Sequence, residues 1–536
     1  MTKSALIDVE NTEGILEFAE YLASAGWRIL SANKTEELFK QKKIPVVHES
    51  SFSKSGIYVN DASLLIKDII EVKSEDDENT YQKYNDYNKN YIKIVCLNVL
   101  PTLNKNLKKN QLKDAIKPVN FLITSILRNV ISNYENLLIL TDPADYKEAM
   151  IQLKTSHVTM EFKSYLAAKA LNLISAYDAG IATSVLQSDI YKEKFMNYLT
   201  YPLKKDMVLH DGLNNHQEAC IYKFPADTGV LNGITKAQGK EISYSIFSDV
   251  SLVWGLISTL FRNLKNQMSV KSINSDGYEF TTQFTPLTGT VCTIAVKLSL
   301  IVGASLSTNV IDSFRKTYSY DRENINDVVL GCSAVIDGTA AKEIVNCSFI
   351  AVVAPGFTDE AKEIFATNTN IRLIPTGKIE PSEYNGHFIS NGLLLQTRDS
   401  SLFKKWNIKT KNRPSQNITD EMAFGTLLSL GARSYSALLL KNNRILTISQ
   451  GCVSMKQAIT NLIQEAPERT DENESVADIL VADSPIPLCQ SVMNLIELGV
   501  KAIIQPGGTP TDDEFIKYCD DHEVIMIFTN MTHIKN

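Results

Sequence analysis

The chain runs to 536 residues, 44% of them apolar and 21% charged, with a formal net charge of −7 at pH 7. At roughly 150 residues per domain this is too long for one core, and the composition excludes disordered and fibrous classes. An acidic chain offers no broad positive field, so nucleic acid is not an expected partner, and eight cysteines without a CxxC pair or His-rich spacing argue against a metal site or a disulfide framework.

The opening MTKSALIDVENTEG has no secretory apolar core, and no uncharged apolar run reaches the roughly 18 residues a bilayer needs; a cytoplasmic protein without membrane contact is expected. Residues 4–9 (SALIDV) predict a buried strand, 13–26 an amphipathic helix closed by Gly26, and 27–31 (WRILS) a second strand. A helix near 35–42 and apolar runs at 44–47, 91–100 and 136–142 continue the alternation, which predicts a parallel sheet with helices on both faces. Residues 73–90 are polar and aperiodic and read as an exposed loop. Helical patterns follow over 145–200, and a change of domain falls near residue 200.

Beyond it the alternation resumes, with strands at 290–302 (TVCTIAVKLSLIV), 349–355, 371–375, 392–396, 435–440 and 477–483. The first of these lies in the longest apolar stretch and reads as one buried strand with its flanks. The acidic stretch 465–475 reads as a surface turn, and the chain closes with strand, glycine turn, helix and strand. Periodicity alone supports an α/β class and nothing finer.

The strand AIIQP running into Gly507-Gly508-Thr509, the acidic helix start Asp512, Asp513 and Glu514, and the terminal IMIFTNMTHIKN resemble the end of the bifunctional AICAR transformylase/IMP cyclohydrolase family. SALIDVENTEGILEFAEYLASAGWRILSANKTEELFK looks like its opening, and DPADYKEAM with LAAKALNLISAYDAGIA looks like the close of its first domain. HDGLNNHQEACIY and GKEISY resemble the start of its second, and VVAPGFTDEAKEIF and NGLLLQTRD follow in order. The resemblance spans nearly the whole chain. It implies a methylglyoxal-synthase-like α/β cyclohydrolase domain (1–200) and a transformylase domain (201–536) of two cytidine-deaminase-like units split near 375–400. It further implies a homodimer with transformylase sites at the subunit interface, and 10-formyltetrahydrofolate as formyl donor.

The family's catalytic motifs are altered. Formyl transfer needs a positioned amine, a base for its proton and donors for the developing oxyanion. The resemblance assigns much of this to a Lys-His pair that stands here as Lys297-Leu298, and leucine transfers no proton. The Ser-Asn pair becomes Ser434-Tyr435, and an acidic position becomes Gln490. The glycine-rich segment becomes TISQGCVSM, which keeps Gly451 and Ser454 and puts Met455 in place of arginine. The substrate motif reads His210-Asp211-Gly212-Leu213-Asn214-Asn215-His216-Gln217; Asn214, His216 and Gln217 remain, while His210 replaces an arginine suited to a phosphate. In the first domain the phosphate loop reads Ser31-Ala32-Asn33-Lys34-Thr35. Glycine loss there removes freedom to wrap a phosphate, with Lys34 as a substitute point charge and Thr35 retained. The basic segment expected after residue 56 is absent, and the motifs at 98–101 and 124–129 are changed, so ring closure is expected to be lost.

Lys297 in an apolar strand is expected to be desolvated and to act as a base or orienting donor, or else to be a relic lysine paired with a carboxylate. His216 either lines a pocket or holds a turn. Asp483 and Ser484 stand at a strand end where α/β sites gather, with a helix cap as the cheaper reading. The leading expectation is a repurposed enzyme acting on an amine- or carboxamide-bearing small molecule by formyl transfer or a related condensation. A non-catalytic dimeric binding or regulatory pseudoenzyme is the alternative, and a divergent housekeeping formyltransferase stands third.

Overall fold

The computed structural model describes residues 3–48, 91–101, 119–186, 195–224, 239, 241–264, 269–319, 325–376, 384–466 and 477–535. The polar stretch 73–90, the segment after residue 56 and most of 465–475 lie outside the described residues. The chain divides into two compact units, Met1–Asp206 with Tyr222–Ala226, and Met207–Ile221 with Asp227–Asn536.

In the first unit, β1 (Lys3–Val9), β2 (Arg28–Ser31), β3 (Val47–His48), β4 (Tyr91–Asn98) and β5 (Leu138–Leu140) form a parallel sheet in the order β3-β2-β1-β4-β5. Alternate residues of β1 feed opposite faces, as a pleated strand requires. Ala5, Ile7 and Val9 join Phe18 and Leu22 of α1 (Ile15–Ser24) and Phe39 of α2 (Asn33–Gln41). Leu6 joins Leu127 and Val130 of α3 (Phe121–Ile131) on the other face. Helices α4 (Tyr146–Lys154) and α5 (Met160–Leu186) complete the two layers. The run expected at 136–142 shortens to β5, whose central residues alone pair with β4, and the run at 44–47 gives way to β3, where Val47 and the following His48 pair with β2. The hairpin of β6 (Lys204–Leu209) and β7 (Ala219–Lys223) carries the chain into the second unit.

The second unit repeats one arrangement twice. Helix α6 (Tyr244–Leu264) precedes the hairpin β10 (Val291–Lys297) and β11 (Leu300–Ser307). Then α7 (Val310–Tyr318), β12 (Val328–Cys332), α8 (Gly338–Ile344), β13 (Phe349–Ala354), α9 (Asp359–Phe365) and β14 (Arg372–Pro375) follow. The second round runs α10 (Gln416–Ser429), β18 (Ala437–Lys441), β19 (Arg444–Ser449), α11 (Met455–Glu465), β20 (Ile479–Ala482), α12 (Gln490–Glu497), β21 (Ala502–Gln505), α13 (Asp512–Asp521) and β22 (Ile525–Phe528). Outward from the centre both halves have the same strand order, β11-β10-β12-β13-β14 and β19-β18-β20-β21-β22, and they meet where Ser305 pairs with Arg444. A further run, β17 (Trp406–Ile408), β8 (Ser269–Ile273) and β9 (Glu279–Gln283), extends the sheet past β22.

Helices α6 and α10 share one apolar cluster across both halves, while α7–α9 and α11–α13 each cover their own half on the opposite face. Helix α6 is long and apolar enough to cross a membrane, but Val250, Val253, Ile257 and Leu260 are core residues of the unit.

Two strand readings need correction. Residues 290–302 are a hairpin rather than one strand: Leu298 and Ser299 both take positive φ (51° and 64°), the two-residue turn whose twist matches the flanking strands. Hydropathy cannot show this, because Leu298 is apolar although 60% exposed. The strand at 392–396 belongs to a separate exposed hairpin of β15 (Tyr384–Ile389) and β16 (Gly392–Thr397) rather than to the main sheet.

Candidate functional site

Ligands of parallel α/β sheets gather at the carboxyl ends of the strands. In the first unit that edge is occupied by the protein's own groups. Asn33 takes a φ of 52°, so an asparagine holds a left-handed conformation at the position where the family resemblance places a glycine. Its Nδ2 donates to Asp8 at 3.1 Å, and Thr35 Oγ1 donates to the other Asp8 oxygen at 3.1 Å and accepts from the Val9 amide at 3.0 Å. Burial raises the Asp8 carboxyl above its ordinary range, the Asn33 and Thr35 bonds opposing this and Glu10 adding to it. Glu10 accepts from the Leu100 amide at 2.7 Å, and Lys169 is held by Asp142 and Asp145 at 2.7 and 2.6 Å. The side-chain donors at the start of α2, Asn33 Nδ2 and Thr35 Oγ1, thus face the Asp8 carboxylate. Thr35 is buried and committed to this network, and Lys34 is exposed in the first turn of α2.

In the second unit both halves build the same turn. The positive-φ pairs Leu298-Ser299 and Asn442-Asn443 each follow a lysine, Lys297 and Lys441. The register shifts at Ala295/Val296 and at Leu439/Leu440, equivalent positions of the two hairpins. A helix acid accepts from each turn: Asp249 of α6 from the Leu298 and Ser299 amides at 2.9 and 2.6 Å, and Glu421 of α10 from the Asn443 amide at 2.7 Å. Burial raises both carboxyls, Glu421 to about 7. Lys297 lies at the strand end, half-buried, and donates Nζ to the Asn326 carbonyl at 2.8 Å. The desolvated interior position expected for it is therefore corrected, because the chain reverses immediately after it.

The halves differ at the opposite end of these strands' polar trim. Asp483, fully buried after β20, accepts through Oδ2 from Ser434 Oγ at 2.5 Å, Ser436 Oγ at 2.8 Å and the Ser436 amide at 3.0 Å. Its Oδ1 and the Ser484 hydroxyl are buried without a hydrogen-bond partner among the described residues, so a ligand donor or a cation would complete them. The helix-cap reading of Asp483 is corrected: α12 starts only at Gln490, and the carboxylate serves β18 instead.

Cations surround this end. Lys535 donates its amide to Ser434 Oγ at 3.0 Å and its Nζ to the Gly431 carbonyl at 3.1 Å. Burial, then Arg398 and Arg433, depress the Lys535 ammonium pKa, and burial with Arg262 depresses that of Arg398. No ion pair engages Arg262, Arg398 or Arg433 among the described residues. Gly451, at φ 72°, donates its amide to the Arg433 carbonyl at 2.8 Å, which brings it to Ser434.

The remaining sequence-predicted residues fall elsewhere. Ser454 caps α11, accepting from the Gln457 amide at 3.2 Å. Asn214 and Gln217 close a turn on themselves, the Gln217 Oε1 accepting the Asn214 amide at 2.9 Å and its Nδ2 at 3.2 Å, and His216 is exposed on that turn. Asp249, Glu421, Arg398, Arg433 and Lys535 were not among the sequence candidates. Asp249 carries a readable signal, a lone acid inside an apolar helix, and Glu421 stands at the same helix position.

Comparison with known proteins bears on the whole chain. "Bifunctional purine biosynthesis protein PurH" of Clostridium acetobutylicum is 27% identical over 540 residues, with all of both chains covered. The proteins of the same name from Fusobacterium nucleatum and Brachyspira hyodysenteriae are 28% and 26% identical over 541 residues, again with full coverage. A solved structure described as "Crystal structure of ForH" is 22% identical, covering 35% of this chain and 98% of its own, at a TM-score of 0.32, too low to bear on the fold. The family model described as "AICARFT/IMPCHase bienzyme" matches residues 132–464, well over half of the sequence. The chain therefore belongs to the AICARFT/IMPCHase bienzyme family.

Proposed function

We propose that this protein is a repurposed member of its family, whose second unit binds an anionic, amine- or carboxamide-bearing small molecule and acts on it by formyl transfer or a related condensation. The observation that carries this reading is the polar end of the second repeat: Ser434, Ser436 and Asp483 form a bonded cluster, and Lys535, Arg398 and Arg433 supply positive charge beside it. Arginines lost from the substrate motif and the glycine-rich segment are replaced in function by these cations. Family membership supports 10-formyltetrahydrofolate as the formyl donor. Lys297 orients the amine through its remaining N–H groups, and Ser434, Gly451 and Ser454 line the ligand side, with Asn214, His216 and Gln217 on a substrate loop.

The cyclohydrolase-like domain (1–200) serves as a companion without ring-closing activity, since Asp8 takes the side-chain donors of Asn33 and Thr35 in the former phosphate loop. The second unit is the transformylase-like part, with its two halves dividing near 375–400. The protein is a cytoplasmic homodimer; the exposed Phe388, Ile389 and Leu394 of the β15–β16 hairpin supply an apolar surface for a second copy.

A pseudoenzyme role is favoured by one observation, the recurrence of Lys297 as Lys441 in the second half, which makes that lysine part of the repeated frame. The name of the relatives supports a third reading, a divergent phosphoribosylaminoimidazolecarboxamide formyltransferase, against which stands the absence of a proton-transferring side chain at Leu298.

Calorimetric titration of the full chain with AICAR and with a 10-formyltetrahydrofolate analogue, joined to a single-turnover formylation assay, tests this reading. Binding of the amine with transfer lost in Lys297→Ala supports it. Failure to bind either compound removes the formyltransferase reading and leaves the pseudoenzyme.

A further inference from the structure

At the far edge of the second unit's sheet, β17 runs between β22 and β8, and their ends surround a pocket of about 460 Å³. That is the size of a small-molecule site. Its polar lining is three lysines, Lys404, Lys405 and Lys409, and three asparagines, Asn274, Asn407 and Asn530, with no carboxylate. Among the described residues no ion pair engages any of the three lysines; Lys409 instead places its ammonium 5.4 Å from the centre of the Phe528 ring. Three unneutralised ammonium groups around one concavity favour a multiply charged anion.

The asparagines add a second requirement. Asn274 is committed to its own turn, accepting from the Tyr278 amide at 2.7 Å. Asn407 donates Nδ2 to Asn530 Oδ1, while its own Oδ1 is buried and has no donor among the described residues. A buried acceptor left open is costly and is satisfied by a ligand O–H or N–H. One molecule meeting both demands carries a phosphate monoester and hydroxyl or amino donors.

We propose that this pocket binds a phosphorylated small molecule bearing hydroxyl donors, a sugar phosphate or a mononucleotide, with the lysines on the phosphate and Asn407 on a hydroxyl. The site lies three strands beyond β20, roughly 14 Å at the usual spacing, and does not depend on the chemistry assigned to the Ser434 end.

Isothermal titration of the full chain with inorganic phosphate, ribose 5-phosphate and AMP tests it. Ribose 5-phosphate is expected to bind more tightly than inorganic phosphate, and tighter AMP binding would identify the mononucleotide as the preferred source. Lys404→Glu with Lys405→Glu, both at exposed positions, should weaken ribose 5-phosphate by about tenfold or more. Asn407→Leu should erase the preference over inorganic phosphate. No binding at millimolar ligand overturns the proposal, as does affinity indifferent to the double lysine variant, in protein whose thermal unfolding matches the parent.

Discussion

The two halves of the second unit share strand order, bulge, turn and helix acid, yet they differ where β18 and β10 begin. In the first half the Cys292 amide donates to Ser333 Oγ at 2.9 Å, and the Ser333 amide returns a bond to the Cys292 carbonyl at 2.9 Å. In the second the Ser436 amide donates to Asp483 Oδ2 at 3.0 Å, and the Asp483 amide returns a bond to the Ser436 carbonyl at 3.2 Å. One backbone ring thus carries a hydroxyl in one half and a buried carboxylate in the other. Features present in both halves belong to the frame that closes each hairpin. Features present in one half are candidates for function, and by that test Asp483 with Ser434 ranks above Lys297, which has Lys441 as its counterpart.

The largest expected effect tests the carboxylate. Asp483→Ala leaves the Ser436 amide and two hydroxyls without their buried acceptor and should cost about 3 kcal/mol or more, whereas Ser333→Ala should cost about 1 kcal/mol. Urea unfolding of both variants measures the difference, and equal losses would break the comparison.

Next comes the pH dependence of the shared acids. The folded pKa of Glu421, about 7, lies above its ordinary 4.5, so protonation favours the folded state. The stability tied to it is full below about pH 4.5 and is lost as pH rises through 7. Glu421→Gln keeps an acceptor for Asn443 without the charge and should flatten this decline, an effect of at most about 3 kcal/mol. Thermal unfolding from pH 4.5 to 8 reads it; an unchanged slope would show that Glu421 titrates outside this window.

Lys297→Met and Lys441→Met sharpen the division between frame and function. Lys297→Met should cost about 1 kcal/mol through its lost bond to the Asn326 carbonyl, and of the two only Lys297→Met is expected to lower single-turnover formylation. If neither does, Lys297 is frame alone.

The smallest effect concerns the turns. Positive φ is tolerated by Asn442 and Asn443 but strained for Leu298. Leu298→Asn should therefore stabilise the protein by about 1 kcal/mol, and Asn442→Leu should destabilise it by a similar amount, both measurable as shifts in denaturant midpoint. The strained leucine occupies the position that the family resemblance gives to histidine, so Leu298→His in the formylation assay also asks whether a proton-transferring group there restores turnover.

Much of the frame was legible in the sequence. Short apolar runs alternating with amphipathic helices are a local property, so the parallel sheet of the first unit, and β13, β14, β18, β20, β21 and β22 of the second, could be placed from periodicity. Motif spacing carried the family, and the loss of the Lys-His pair and of the phosphate-binding glycines could be read residue by residue. Asn33 shows the limit of that reading, since the loop adopts a left-handed conformation there without a glycine.

Tertiary structure decided the rest, for reasons of distance and pairing. Leu298 reads as strand because hydropathy counts side chains and not chain reversals. The repeat of two halves is carried by strand order and register, while Asp249 and Glu421 sit in unlike sequences. Arg398, Arg433 and Lys535 come from segments far apart in the chain, and Asp8 reaches the start of α2 only because β1 and β2 are neighbours. Local sequence determined which elements form; which charges meet, and which donors are already taken, depended on contacts that only the folded chain makes.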